Sequence, residues 1–112
     1  MKTLSYPPDY LSETLSLLLK HFQICQNDVI FSIEPIQNFE ELAQKLQNFI
    51  KKLLCEDFQR LVNALYLIDV GEEKFHEAMQ SPDIEVVAKQ ISLLVIKREV
   101  QKVYFRKNLL NN

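Results

Sequence analysis

A single glycine, Gly71, in 112 residues constrains this chain more than any other feature. Folds built from short strands need turn chemistry about every 8–12 residues. Here Gly71 is joined by four prolines (Pro7, Pro8, Pro35 and Pro82), and clusters of turn residues are scarce. Apolar residues spaced three and four apart therefore decide the architecture. The expectation is an all-α, single-domain bundle of four to five helices over residues 1–112, with a long C-terminal helix. Residues 1–8 read as a lead-in and 108–112 as a frayed tail.

Asp9 suits the cap of a first helix running to about Gln23, with Leu11, Leu15, Leu18, Leu19 and Phe22 at helical spacing. Around Cys25–Pro35, Val29, Phe31 and Ile33 alternate with Ile30, Ser32 and Glu34, which predicts an extended connector. Asn38 with Glu41 three residues on forms a capping pattern for a second helix marked by Leu42, Leu46, Phe49, Ile50 and Leu53. A phase change near Cys55-Glu56 predicts a break or corner, with Glu56 and Asp57 in the first turn of a third helix, where the helix dipole favours acids; one long kinked helix is the alternative. Gly71 is expected to end or bend that helix, and Glu72-Glu73 to open a short fourth one. Ser81-Pro82-Asp83 predicts the last helix start, with Ser81 as cap and Pro82 at the first helical position. That helix carries Ile84, Val87, Ala88, Ile91, Leu94 and Val95 and meets no breaker until Asn108, so its end is expected to project beyond the bundle. Leu61, Val62, Leu65, Ile68, Ile91, Leu94 and Val95 are the expected centre.

The run Leu65-Tyr66-Leu67-Ile68-Asp69-Val70-Gly71 holds four bulky apolar residues in a row, then a carboxylate. Such density predicts a segment wrapped by protein on several sides. A carboxylate there needs a partner, and Arg98 or Arg60 suits because its fork pairs bidentately with a carboxylate. Asp69–Arg98 is therefore expected as a buried or half-buried structural ion pair fixing how the third and last helices cross.

Hydrophobic content of 47% with 25% charged residues is globular, and the net charge of −2 argues against a protein built to hold nucleic acid. Nothing approaches the roughly 20 apolar residues that span a bilayer, and the N-terminus lacks the pattern of a signal peptide. Cys25 and Cys55 read as two reduced, mostly buried thiols in a cytoplasmic protein. His21 and Cys25, four apart, share a helix face, but a metal site needs further ligands from His76, Cys55 or a carboxylate; a surface histidine beside a core cysteine is the simpler reading. No metal or cofactor is expected. Glu40-Glu41, Glu56-Asp57 and Glu72-Glu73 lie at helix starts, where capping explains them without catalysis.

Charge is unevenly spread. Residues 97–112 carry Lys97, Arg98, Lys102, Arg106 and Lys107 against Glu99, while the first 96 residues hold eight basic and fourteen acidic side chains. Those five cations are candidate anion-binding residues, with nucleic acid the first guess for the ligand. The dipole at a helix C-terminus also prefers cations, so a structural use competes.

The segment Leu65-Tyr66-x-Ile68-Asp69-Val70, followed by Glu72-Glu73-Lys74 and Ile96-Lys97-Arg98-Glu99, resembles a family of short all-helical bacterial proteins with no established activity. The resemblance covers about residues 55–107. The family pattern often has an Arg between the Tyr and Ile, where this chain has Leu67. It implies a compact helical fold and supplies no catalytic residues.

Without a phosphate-binding glycine loop or another catalytic signature, the sequence predicts no enzymatic activity. The expected function is that of a small cytoplasmic protein–protein interaction or adaptor module. Leu67, Phe105, Leu109 and Leu110 are the candidate contact surface, with a homodimer as one form of it. The alternative is a binder of an anionic partner through the basic C-terminal helix. A ligand pocket around Asp69, Tyr66 and His76 is a third reading.

Overall fold

The computed structural model describes residues 6–24 and 36–110, except the side chain of Leu110. The expected connector at 29–33, and Cys25 with it, lie outside the described residues. The fold is an all-α bundle. After a 3-10 turn at Pro8–Tyr10 come α1 (Leu11–His21), α2 (Phe39–Glu56), α3 (Phe58–Ile68), α4 (Glu72–Ala78) and α5 (Ile84–Leu110).

Helix α5 is the centre, touching each of the other helices and the 3-10 turn. Its buried positions run in pairs four apart: Val87 and Ala88, Ile91 and Ser92, Val95 and Ile96, Glu99 and Val100, then Val103. A stripe two residues wide at that spacing faces neighbours over much of the circumference, whereas a surface helix shows one narrow face. Its 27 residues span about 40 Å at 1.5 Å per residue. The expected projection of its end does not occur up to Lys107. Glu13 of α1 meets Arg106 at 3.4 Å and Lys107 at 2.9 Å, which ties the last turns to the bundle. The hydrogen bond to Glu13 also raises the Lys107 pKa above its ordinary value.

Helix α2 is the main partner of α5, presenting Leu42, Leu46, Phe49, Ile50 and Leu53. Asn38 caps it, its Oδ1 accepting the Glu41 amide at 2.8 Å, while Glu41 Oε1 accepts from the Gln37 amide. The corner at residues 55–57 is real: Asp57 leaves helical geometry at φ −153°, and its Oδ1 accepts the Arg60 amide. Asp57 is thus the cap of α3 rather than a member of its first turn. Helix α1 runs antiparallel to α5, since Glu13 faces Arg106 while His21 faces Glu99. Its first turn is 3-10, so Asp9 sits inside that turn and caps nothing.

Two boundaries differ from expectation for local reasons. Helix α5 begins at Ile84, because Ser81 Oγ accepts the Asp83 amide and Asp83 Oδ1 then accepts that of Glu85. Asp83, not Ser81, is therefore the cap. At the end of α3 it is Asp69, at φ 68°, that turns left-handed. The Val70 amide donates to Leu65 O and the Asp69 amide to Tyr66 O, with Val70 packed down among the core, the pattern of a Schellman cap. Gly71 follows as the residue preceding α4.

Gly71 stands at φ 101°, ψ 133°, a region open essentially to glycine alone. A Cβ there would meet nothing within 4 Å, so only backbone conformation opposes substitution. Gly71→Ala is expected to cost roughly 1–3 kcal/mol in a urea unfolding curve, with no loss of helix content at low denaturant. An unchanged midpoint would show that the α3–α4 turn is not held in this conformation.

Of the expected centre, Leu61, Leu65, Ile68, Ile91 and Val95 are buried, while Val62 and Leu94 are only partly so. Cys55 is exposed and free, contrary to its expected burial, because it falls on the outer face of the last turn of α2. No helix among the described residues is long and apolar enough to cross a membrane.

Candidate functional site

The apolar run in α3 is not wrapped. Four consecutive residues sweep about 300° of a helix, and only one side of α3 meets the bundle. Leu61, Ala64, Leu65 and Ile68 take that side. Tyr66 and Leu67 are forced outward, 86% and 52% exposed. Beside them lies a groove of about 800 Å³ between the end of α3 and α4, floored by Val62, Leu65, Val70 and Phe75 and rimmed by Asp69 and Glu72. Phe58, 43% exposed, extends the apolar surface through its ring contact with Phe75 at 6.2 Å.

Asp69 sits on the rim, its side chain 77% exposed. Its partner is Arg98: Nη2 stands 3.5 Å from Asp69 Oδ2, and Nε donates to the Asp69 carbonyl at 3.2 Å. The expectation of a buried pair is corrected here, because the left-handed turn lifts Asp69 off the end of the helix. Arg60 serves elsewhere, donating to the carbonyls of Phe22 and Gln23 at the end of α1 and lying over the Phe49 ring. Asp69→Asn is expected to change stability by no more than about 0.5 kcal/mol, since the site is exposed and Asn tolerates the left-handed region. A larger loss in thermal melts would restore a structural role to the carboxylate.

The other candidate residues do not gather in one place. Phe105 and Leu109 are 59% and 72% exposed near the end of α5, beside Tyr104. The five cations are divided: Arg98 goes to Asp69, Lys102 approaches Glu99, and Arg106 and Lys107 share Glu13. Lys97 faces a separate hollow of about 530 Å³ with Lys74, Gln90 and Leu94. Arg98, Lys102 and Arg106, four apart, share a stripe of α5, and each already has a carboxylate of this chain beside it. His76 is exposed, its ring tilted at 49° and 6.4 Å from that of Phe75, and it does not line the groove of Tyr66 and Asp69.

The sequence reading missed a buried ionisable pair. Glu99, the one acid in the basic C-terminal stretch, is fully buried, and His21 Nδ1 contacts its Oε2 at 2.5 Å. His21 is only 14% exposed, so it is no surface histidine. Lys102 Nζ stands 3.5 Å from Oε1, which accepts no hydrogen bond among the described residues. The signal was in the spacing: Ile91, Val95, Glu99 and Val103 step by four, which places a carboxylate in the core stripe of α5. Thr14, Leu18 and His21 likewise share the inner face of α1. Thr14 Oγ1 is also buried without a hydrogen-bond partner among the described residues. Thr14→Val is therefore expected to hold or raise the melting midpoint; a clear fall would reveal a bond to that hydroxyl.

No protein-family model matches the chain, and no solved structure matches it. A probable nicotinate-nucleotide adenylyltransferase of Helicobacter hepaticus is 25% identical over 81 residues, covering 72% of this chain and 31% of that protein. The chain thus corresponds to about a third of the relative's length. This similarity overturns the expectation that the chain has no enzymatic role. That expectation rested on motifs missing from 112 residues, and a relative several times the matched length carries a similar stretch within a probable enzyme.

Proposed function

We propose that the chain is a protein-docking helical module that works through the α3–α4 face. One observation carries the reading: Tyr66, a residue able to bury a large rigid ring at low entropic cost, stands 86% exposed at the edge of an apolar groove. Isolated exposed apolar residues need no explanation, but a contiguous set of Phe58, Tyr66, Leu67 and Phe75 does. A photo-crosslinking amino acid placed at position 66 tests it in the native cell, with the exposed position 52 as control. A discrete adduct from position 66 alone is expected. Equal labelling from both positions, or none from either, would overturn the reading.

The similarity to a probable nicotinate-nucleotide adenylyltransferase favours a second reading, in which this chain takes part in adenylyl transfer to a nicotinate nucleotide. Its test is release of pyrophosphate from ATP in the presence of nicotinate mononucleotide, with either substrate omitted as control. Turnover that needs both substrates supports participation, and turnover equal to the controls counts against it.

A further inference from the structure

We infer that the partner on this face is a second copy of the chain, in a two-fold dimer that seats Phe105 of each copy in the α3–α4 groove of the other. The inference rests on the docking reading above and names its partner. Two apolar surfaces of one chain flank the Arg98–Asp69 contact. On one side lies the groove, with Asp69 on its rim. On the other, Arg98, Gln101, Phe105 and Leu109 fall three, four and four residues apart and so share one stripe of α5. Arg98 bridges the two, its Nη1 3.5 Å from Gln101 Oε1 and its Nη2 3.5 Å from Asp69 Oδ2. Phe105 lies seven residues beyond Arg98, about 10 Å along the helix.

A two-fold axis passing near Arg98 and Gln101 exchanges these surfaces. Each copy's ridge enters the other's groove, and both patches are covered in one closed interface. The contact is a helix laid in an apolar groove, with Phe105 and Leu109, four apart, as its anchors. The charges are complementary. Asp69 and Glu72 rim the groove, and Arg106 stands beside Phe105 at 52% exposure. Arg106 holds Glu13 at 3.4 Å, while Lys107 holds the same carboxylate at 2.9 Å. Arg106 can therefore turn to Glu72 of the other copy without leaving Glu13 unpaired.

Sedimentation equilibrium of the full chain over a wide concentration range reads the outcome. The wild type is expected to reach twice its chain mass of 13.2 kDa. Phe105→Glu should weaken the dimer roughly thirtyfold or more, as loss of an aromatic anchor does. Arg106→Glu and Glu72→Arg should each weaken it, and the two together should recover it. Circular dichroism melts check that each variant stays folded, and Tyr66→Glu replaces Phe105→Glu if that variant does not. A monomer at every concentration overturns the inference, as does a dimer indifferent to both Phe105→Glu and Tyr66→Glu or a charge exchange without recovery. The docking reading fails separately: a monomer whose position 66 still crosslinks to another protein sinks only the second copy, while absence of any adduct sinks both.

Discussion

Replacing His21 by Ala is expected to cost about 3–5 kcal/mol, because it takes from a buried carboxylate the nearer of its two partners. Glu99 is fully enclosed between α1 and α5, with His21 Nδ1 at 2.5 Å and Lys102 Nζ at 3.5 Å. Taking away the imidazole leaves Oε2 without its donor in a medium that solvates charge poorly. Converting both members, as in His21→Leu with Glu99→Leu, removes the carboxylate and the imidazole together and leaves only Lys102, whose side chain is 26% exposed, to water. The double variant should recover most of the loss, since well-packed apolar residues replace buried ion pairs at little or no cost. Urea unfolding curves with unchanged slopes are the measurement. A His21→Ala loss below about 1 kcal/mol, or a double variant worse than either single one, would mean that the two groups do not depend on each other.

The second large effect is expected at Phe49. Its ring is 2% exposed, meets Phe22 edge-on at 5.8 Å and carries the Arg60 guanidinium 5.2 Å above it. It therefore joins α2 to the end of α1 and the start of α3. Phe49→Ala should cost about 3–5 kcal/mol through the lost burial and the cavity left behind. Arg60, stacked on that ring, also donates to the Phe22 and Gln23 carbonyls. A double-mutant cycle with Arg60→Ala should show coupling of about 0.5 kcal/mol or more. Additive losses would show that the ring and the guanidinium act independently.

Capping chemistry between neighbours made much of the fold readable from the chain alone. Asn38 with Glu41, the corner at residues 55–57 and the start near residue 82 are local patterns, and the structure has helix boundaries at each. The errors came where two local signals compete. Ser81 and Asp83 both suit a cap, and the chain uses one to position the other. Asp69 and Gly71 both suit a left-handed turn, and the earlier residue ends the helix.

The site was harder to read, because exposure depends on which side of a helix finds neighbours. Density of apolar residues at 65–68 indicated burial, yet α3 lies on the rim of a bundle centred on α5. Half of the run therefore faces outward. His21 and Glu99 are 78 residues apart, so no local pattern joins them. Only the four-residue steps along α5 mark the carboxylate as internal, and nothing in those steps says which side chain it meets. The basic tail shows the converse case. Its charge excess is plain in the sequence, and so is Glu99 three residues before Lys102, but Asp69 and Glu13 become its partners only in the folded chain.

The Tyr66 face is open in the folded chain, and the dimer proposed above would cover it. The sequence contains no tryptophan, so Tyr66→Trp introduces a single reporter at the position in question. In dilute solution its emission should be that of a water-exposed indole and be readily quenched by acrylamide. With rising concentration the emission should shift to the blue and resist quenching, and Phe105→Glu should abolish both changes. Emission that is already blue and protected at the lowest concentration would place residue 66 in the core of one chain. Emission that stays exposed at every concentration would show that no second copy covers this face.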